Sequence, residues 1–73
     1  MKSVSGKQFC NVLRKHGWEL KRIRGSHHIL AHPKQRRALT VPVHGRDLKT
    51  GTLTGILRVA GITREELREL LGR

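Results

Sequence analysis

Five histidines and a large excess of cations are the side chains of this sequence that are best suited to chemistry. An imidazole titrates at about pH 6.5, which suits it to general acid–base catalysis. Sixteen Lys and Arg against five Asp and Glu give a formal charge of +11, which attracts polyanions before any specific contact forms. Histidine beside a phosphate-binding surface is suited to RNA cleavage, in which a ribose 2′-hydroxyl attacks the adjacent phosphorus. DNA lacks that hydroxyl.

Metal binding is the other chemistry that five histidines suggest, but their spacing disfavours it. If residues 27–32 form a strand, His28 and His32 share one side and lie about 13 Å apart, whereas His27 points to the other side. The available carboxylates are Glu19, Asp47 and the three C-terminal acids, and no pair among them suggests a two-metal nuclease. We therefore predict no metal site and no cofactor.

Length and charge distribution limit the classes of protein to which this sequence can belong. Seventy-three residues, 36% of them hydrophobic, supply one small core, so we predict a single domain over residues 1–73. Residues 1–60 carry 13 basic and two acidic side chains, whereas residues 61–73 carry three of each. We therefore expect the surface that binds a polyanion to lie upstream of the C-terminal segment. A lone cysteine, Cys10, fits a reducing compartment, and no apolar run approaches the roughly 18 residues of a membrane span. We expect a soluble, cytoplasmic protein.

Capping patterns and apolar spacing predict three helices. Ser5 and Gln8 have the spacing of a capping box, so the first helix starts just after Ser5. Thr50 is the expected cap of the second helix, and Gly55 within it predicts a close approach between helix and sheet. A second capping box at Thr63 opens a short third helix. The residues expected to face the core recur at helical spacing: Phe9, Val12, Leu13, Leu53, Ile56, Leu57 and Ala60.

Three segments between the first two helices predict strands, at residues 18–24, 27–32 and 38–43, with turns between them. Pro42 has no N–H to donate, which places the third strand at an edge and the second in the centre. The order is α-β-β-β-α with a terminal helical turn. This is an α+β fold in which a three-stranded antiparallel sheet carries its helices on one face and leaves the other open.

Side-chain alternation along the second strand assigns His27 to the open face. Leu30 is the best core candidate of this strand, so His28 and His32 share its side, whereas His27 faces away. The preceding Gly-Ser turn lets backbone and phosphate approach closely. His27 is thus a candidate general acid or base, although an ordinary exposed strand histidine would show the same spacing. The candidate RNA-binding residues adjoin it in sequence: Lys21, Arg22, Arg24 and Ser26.

The sequence does not identify a second proton-transferring group. His44 ends the third strand and reaches towards the rim of the open face. His32 is expected to be a partly buried structural residue that bonds a turn carbonyl, and His16 and His28 are expected at the surface or boundary. With Phe9 and Trp18 as its only large aromatics, the chain is poorly equipped to bind RNA by base stacking.

An ordered set of short segments carries a family resemblance: Gly17-Trp18, Gly25-Ser26-His27, His32-Pro33, Val41-Pro42-Val43-His44, Leu48-Lys49, Gly51-Thr52-Leu53, Ile56-Leu57, Ala60-Gly61-Ile62-Thr63 and Glu66. In this order they resemble the HicA-type mRNA interferase toxins of HicA–HicB toxin–antitoxin pairs. The resemblance spans about residues 4–71. One departure is Leu30, where the family often has an aromatic residue.

The resemblance implies a double-stranded-RNA-binding-domain-like fold, ribosome-independent RNA cleavage, growth arrest and neutralisation by a HicB-type antitoxin. The catalytic histidine of the family's Gly-Ser-His motif falls on His27, which strand alternation also selects. We therefore predict a metal-independent endoribonuclease toxin whose partners are mRNA and an antitoxin that covers the open face. The alternative is a non-catalytic RNA-binding module that uses the same basic face. A nucleoid- or ribosome-associated basic protein is a third interpretation.

Overall fold

Three helices and one antiparallel sheet make up residues 4–72, the part of the chain that the computed structural model describes. Residues 1–3 and 73 of the predicted domain lie outside the described residues. The strands pair in the order β1-β2-β3. This topology confirms the predicted double-stranded-RNA-binding-domain-like α+β fold. The elements are α1 (Gly6–Lys15), β1 (Glu19–Arg24), β2 (His27–Ala31), β3 (Leu39–Pro42), α2 (Thr50–Ala60) and α3 (Arg64–Leu71).

The helix α1 forms because its first turn is capped and one of its faces is apolar. The Ser5 hydroxyl accepts a hydrogen bond from the N–H of Gln8, and the Gln8 side chain accepts one from the N–H of Ser5, each at 3.1 Å. This is the predicted capping box. Phe9 and Leu13 are fully buried, whereas Arg14 on another face is exposed. The helix therefore packs with one side and presents cations with the other.

The other two helices follow the prediction with two corrections. Lys49, not Thr50, is the N-cap of α2, so the predicted cap was wrong by one residue. Gly55 is exposed and has nothing within 4 Å of the position of an added Cβ, so it does not serve helix–sheet contact. The predicted capping box of α3 is present, and the backbone hydrogen bond from Thr63 holds the pKa of Glu66 below its usual value.

One cluster of apolar side chains lies between the helices and one face of the sheet. The predicted core residues of α1, β2 and α2 belong to it, and Trp18 also packs inside. On β1, by contrast, Leu20 and Ile23 are 39% and 55% exposed, so the helices cover β2 and β3 better than this edge. The buried members are Val4, Phe9, Cys10, Val12, Leu13, Trp18, Leu30, Leu39, Val41, Leu53, Ile56, Leu57, Ala60, Ile62 and Leu67.

Gly6 allows the first turn of α1 to touch the end of β3. The space that a Cβ would need at Gly6 is taken by the carbonyl oxygen of Pro42, and the Cα of Val43 is 3.0 Å from it. Both neighbours are backbone atoms, so they cannot rotate out of the way. The contact holds the end of β3 against α1.

Gly6→Ala should therefore destabilise the fold, because a methyl group at this position must push α1 and β3 apart. We expect a loss of roughly 1–3 kcal/mol in the free energy of unfolding, typical of overpacking. Gly55→Ala is the matched control, since the same change falls in open space within a helix and should stabilise by about 0.4–1 kcal/mol. Urea unfolding of both variants measures the difference. Unchanged stability of Gly6→Ala would contradict the tight contact.

Candidate active site on the open face of the sheet

The strand β2 turns His27 to the open face of the sheet. Leu30 is completely buried, whereas His27 is exposed. Leu30 pairs with Leu39 of β3, and His27 pairs with Pro42 near the other end of the same ladder. Because side chains alternate along a strand, His27 and Leu30 lie on opposite faces. The predicted orientation of His27 is confirmed.

A β-bulge interrupts the pairing of β1 with β2. Leu20 lies opposite Leu30, but the next pair is Arg22 with Ile29. Two steps along β1 thus correspond to one step along β2, and Lys21 is the extra residue. Such an insertion shifts the alternation of every side chain that follows it.

The bulge decides which face the arginines occupy. Regular alternation from Leu20 would place Arg22 and Arg24 on the helix side, and Ile23 on the open side. With the extra residue, Arg24 lies directly opposite His27, and both arginines are exposed on the open face. The period-two spacing of residues 18–24 predicts Leu20 and Ile23 on opposite faces, and this prediction is wrong because of the bulge. The bulge is what brings the arginines to the histidine.

Lys21 has a different environment from the two arginines. Its ammonium group lies 3.4 Å from the carboxylate of Glu19, and both side chains are largely exposed. Exposed ion pairs of this kind contribute little to stability, about 0–1 kcal/mol. The Lys21 ammonium is therefore free to exchange Glu19 for a phosphate group at small cost.

Ser26 ties the beginning of β2 to the end of β3 through its backbone. Its carbonyl oxygen accepts a hydrogen bond from the N–H of Val43 at 2.6 Å. Gly25, with φ of 57°, provides the left-handed residue that this turn needs. The hydrogen bond holds the chain after β3 next to the residue that begins β2.

His44 lies beside His27 as a result. The ring centroids are 6.1 Å apart and the ring planes are inclined at 77°. Both histidines are exposed. The position of His44 at the end of the third strand predicts that it reaches the rim of this face, but its distance from His27 depends on the link between Val43 and Ser26, which no local pattern reveals.

A cleft of about 660 Å³ opens next to His44. Pro42, the cross-strand partner of His27, contributes to its wall, so the cleft adjoins the open face. Arg46 and Lys49 also line it, together with Asp47. Two cations against one carboxylate make the cleft suitable for a polyanionic chain that crosses the histidine pair.

The predicted structural role of His32 is confirmed, but its predicted hydrogen bond is not. Its ring packs edge-on against Trp18 with 5.3 Å between centroids, and it is partly buried. The Nδ1 atom accepts a hydrogen bond from the backbone N–H of Lys34 at 3.0 Å. The turn therefore offers His32 an amide donor and not the carbonyl that we expected.

Cys10 and His28 form a pair on the helix side, and a thiol beside an imidazole is also a possible nucleophile. The Sγ and Nδ1 atoms are 4.0 Å apart. Burial raises the pKa of the Cys10 thiol, and nearby Arg14 offsets this only in part. The thiol is thus held in its neutral, unreactive form. We assign this pair to packing.

Cys10 should consequently react slowly with iodoacetamide. A raised pKa means less thiolate at pH 8, and burial limits access, so we expect alkylation at least about tenfold slower than in the same protein unfolded in urea. The rate should rise as the pH moves above the ordinary thiol range. Mass spectrometry over time measures both rates, and equal rates in the two states would contradict the assignment.

Two further features concern metals and membranes. Within residues 4–72, no three His, Cys, Asp or Glu side chains lie close enough together to hold a metal ion. Over the same range, each helix is too short or too polar to cross a membrane.

Residues 6–62 match a protein family described as the HicA toxin of bacterial toxin–antitoxin systems. The match begins with the first residue of α1 and ends just beyond α2. It includes all three strands and both histidines of the open face. Comparison with curated proteins gives no match.

Proposed function

The chain belongs to the HicA toxin family of bacterial toxin–antitoxin systems, and from this premise we propose that it arrests growth by cleaving mRNA. As a member of this family, it is the toxin of a pair and has an antitoxin partner. The finer proposal is that residues 1–73 form one domain, a metal-independent endoribonuclease of the cytoplasm. His27 acts in it as general acid or base.

The grouping of His27 with Arg22 and Arg24 on one exposed face carries this proposal. Guanidinium groups bind phosphate oxygens through two parallel hydrogen bonds, and they keep their charge at any physiological pH. With Lys21 at the bulge, they supply positive charge for the RNA backbone, and Ser26 lies in the turn that the backbone approaches. An imidazole beside such a phosphate site is placed to move a proton.

The reaction that fits these residues is attack of a ribose 2′-hydroxyl on the neighbouring phosphorus. One proton must leave the hydroxyl, and another must reach the departing 5′-oxygen. Proton transfer by a positioned histidine contributes about 10²–10⁴-fold to such a reaction. The arginines stabilise the negative charge that develops on the non-bridging oxygens. The need for the 2′-hydroxyl restricts the substrate to RNA.

We further propose that the antitoxin is of the HicB type and covers the open face. Three exposed cations, Lys21, Arg22 and Arg24, lie along the β1 edge of this face, so an acidic partner surface would be attracted to it and would exclude RNA. The second candidate function is a non-catalytic RNA-binding module. The same exposed cations favour it, because they bind backbone whether or not a bond is cut.

His27→Ala tests the catalytic proposal. Since the side chain is exposed, we expect an unchanged melting temperature but a loss of about 10²–10⁴-fold in RNA cleavage, together with loss of toxicity. His16→Ala, at the end of α1, is the matched control and should cleave normally. Wild-type cleavage should persist in EDTA. Cleavage by His27→Ala at the wild-type rate would contradict the role, and a wild-type protein that binds but never cleaves RNA would favour the binding module.

The double variant Arg22→Ala/Arg24→Ala tests the RNA-binding face. We expect weaker binding to single-stranded RNA and a shallower dependence of affinity on salt, by up to about 0.7 per lost phosphate contact. Arg36→Ala/Arg37→Ala removes the same charge from the turn between β2 and β3, at the opposite end of β2. This control should bind almost as wild type does. Equal losses in both variants would indicate a diffuse attraction without a defined face.

A further inference from the structure

We propose that His44 is the second catalytic residue of this site and transfers the proton that His27 does not. The inference rests on the proposed endoribonuclease function and adds to it a second imidazole. Sequence reasoning left this position open, because no spacing rule connects the end of β3 with the start of β2.

The reaction requires two proton transfers on opposite sides of one phosphorus atom. One neutral imidazole takes the proton of the 2′-hydroxyl while the O2′–P bond forms. The P–O5′ bond breaks, and the departing oxygen takes a proton from the second, protonated imidazole. The products are a 2′,3′-cyclic phosphate and a free 5′-hydroxyl, and the two imidazoles have exchanged protonation states. Atoms and charges balance without a further reactant.

The geometry of His27 and His44 meets this requirement. A ring nitrogen has to come within about 2.6–3.2 Å of the oxygen that it serves. Two rings whose centroids are 6.1 Å apart are close enough for each to reach an oxygen of the same phosphate group lying over the pair. Because the ring planes are inclined at 77°, the rings do not stack face to face.

Three backbone contacts fix His44 relative to His27. Pro42 pairs with His27 across the ladder, and the N–H of Val43 donates to the carbonyl of Ser26. The first turn of α1 presses on the carbonyl of Pro42 through Gly6. His44 follows directly, so it is attached to a rigid strand end although its side chain is exposed.

The charges around the two imidazoles also suit this role. Arg24 lies opposite His27 on β1, whereas Arg46, Lys49 and Asp47 line the cleft with His44. Cations thus flank the pair on both sides. A single RNA strand can lie along the open face, pass over the two imidazoles and continue into the cleft.

The other three histidines are placed elsewhere. His28 contacts Cys10 on the helix side, and His32 packs on Trp18. His16 ends α1. None of them shares the open face with His27, which leaves His44 as the histidine that the fold brings to the scissile phosphate.

The test uses two substrates with the variants His27→Ala, His44→Ala and, as control, His16→Ala. A cleavage site is first mapped on an mRNA by primer extension, and a short RNA with that site is synthesised. A second version carries sulfur in place of the departing 5′-oxygen. A thiolate leaves without being protonated, so this substrate needs the base but not the acid.

We expect His44→Ala to keep the wild-type melting temperature and to lose about 10²–10⁴-fold in cleavage of ordinary RNA. Of the two variants, His27→Ala and His44→Ala, one should recover nearly full activity on the sulfur substrate and the other should not. The recovered variant lacks the acid, and the other lacks the base. The pH–rate profile of the wild type should be bell-shaped and lose one limb in each variant.

Other outcomes overturn the inference in distinguishable ways. If His44→Ala cleaves ordinary RNA normally while His27→Ala does not, the second imidazole is refuted and the proposed function stands. If His44→Ala is impaired but the sulfur substrate rescues neither or both of the variants, His44 only positions the RNA. A wild-type protein that fails to cleave any RNA removes the proposed function and this inference together.

Discussion

The register of β2 between its two neighbours is the constraint on which the rest of this site depends. Leu30 and Val41 are completely buried, and they pair across the ladder with Leu39 and His28. A slip of the register by one residue would expose Leu30 and turn His27 into the core. Burying a leucine side chain contributes about 1.5–3 kcal/mol, so the hydrophobic core selects the register. The core therefore determines which imidazole meets the solvent, although it touches no substrate.

Two local features, a bulge and a backbone hydrogen bond, bring further side chains next to His27 on the open face. The extra residue Lys21 in β1 turns Arg22 and Arg24 outward, and the hydrogen bond from Val43 to Ser26 brings the end of β3 against the beginning of β2. β-Bulges are frequent near active sites, where they redirect side chains. Here, the bulge adds two cations to a face that alternation alone would have given a hydrophobic isoleucine. The bulge thus places both arginines on the face of His27 and turns Ile23 to the helix side.

Much of the fold was predictable because it rests on local signals. Capping boxes at Ser5 and Thr63, and the missing N–H of Pro42, marked helix starts and the strand order correctly. The orientation of His27 was predictable too, since one buried leucine fixes alternation along its strand. The bulge was not predictable, because the point at which side-chain alternation shifts in β1 depends on how this strand pairs with β2. The apolar residues of β1, which stand three apart at positions 20 and 23, were the one signal that could have indicated it. The proximity of His44 to His27 is likewise a tertiary feature.

The central claim is that RNA binds on the open face, over the two imidazoles, and not on the helix side. The five histidines sample both sides of the sheet, so their ring proton resonances report directly on where the ligand lies. The most direct measurement is an NMR titration with a 2′-O-methyl RNA oligonucleotide, which cannot be cleaved because its 2′-oxygen is blocked. We predict that the resonances of His27 and His44 shift together in the course of the titration while those of His16, His28 and His32 stay in place. Shifts confined to His28 or His16 would contradict it.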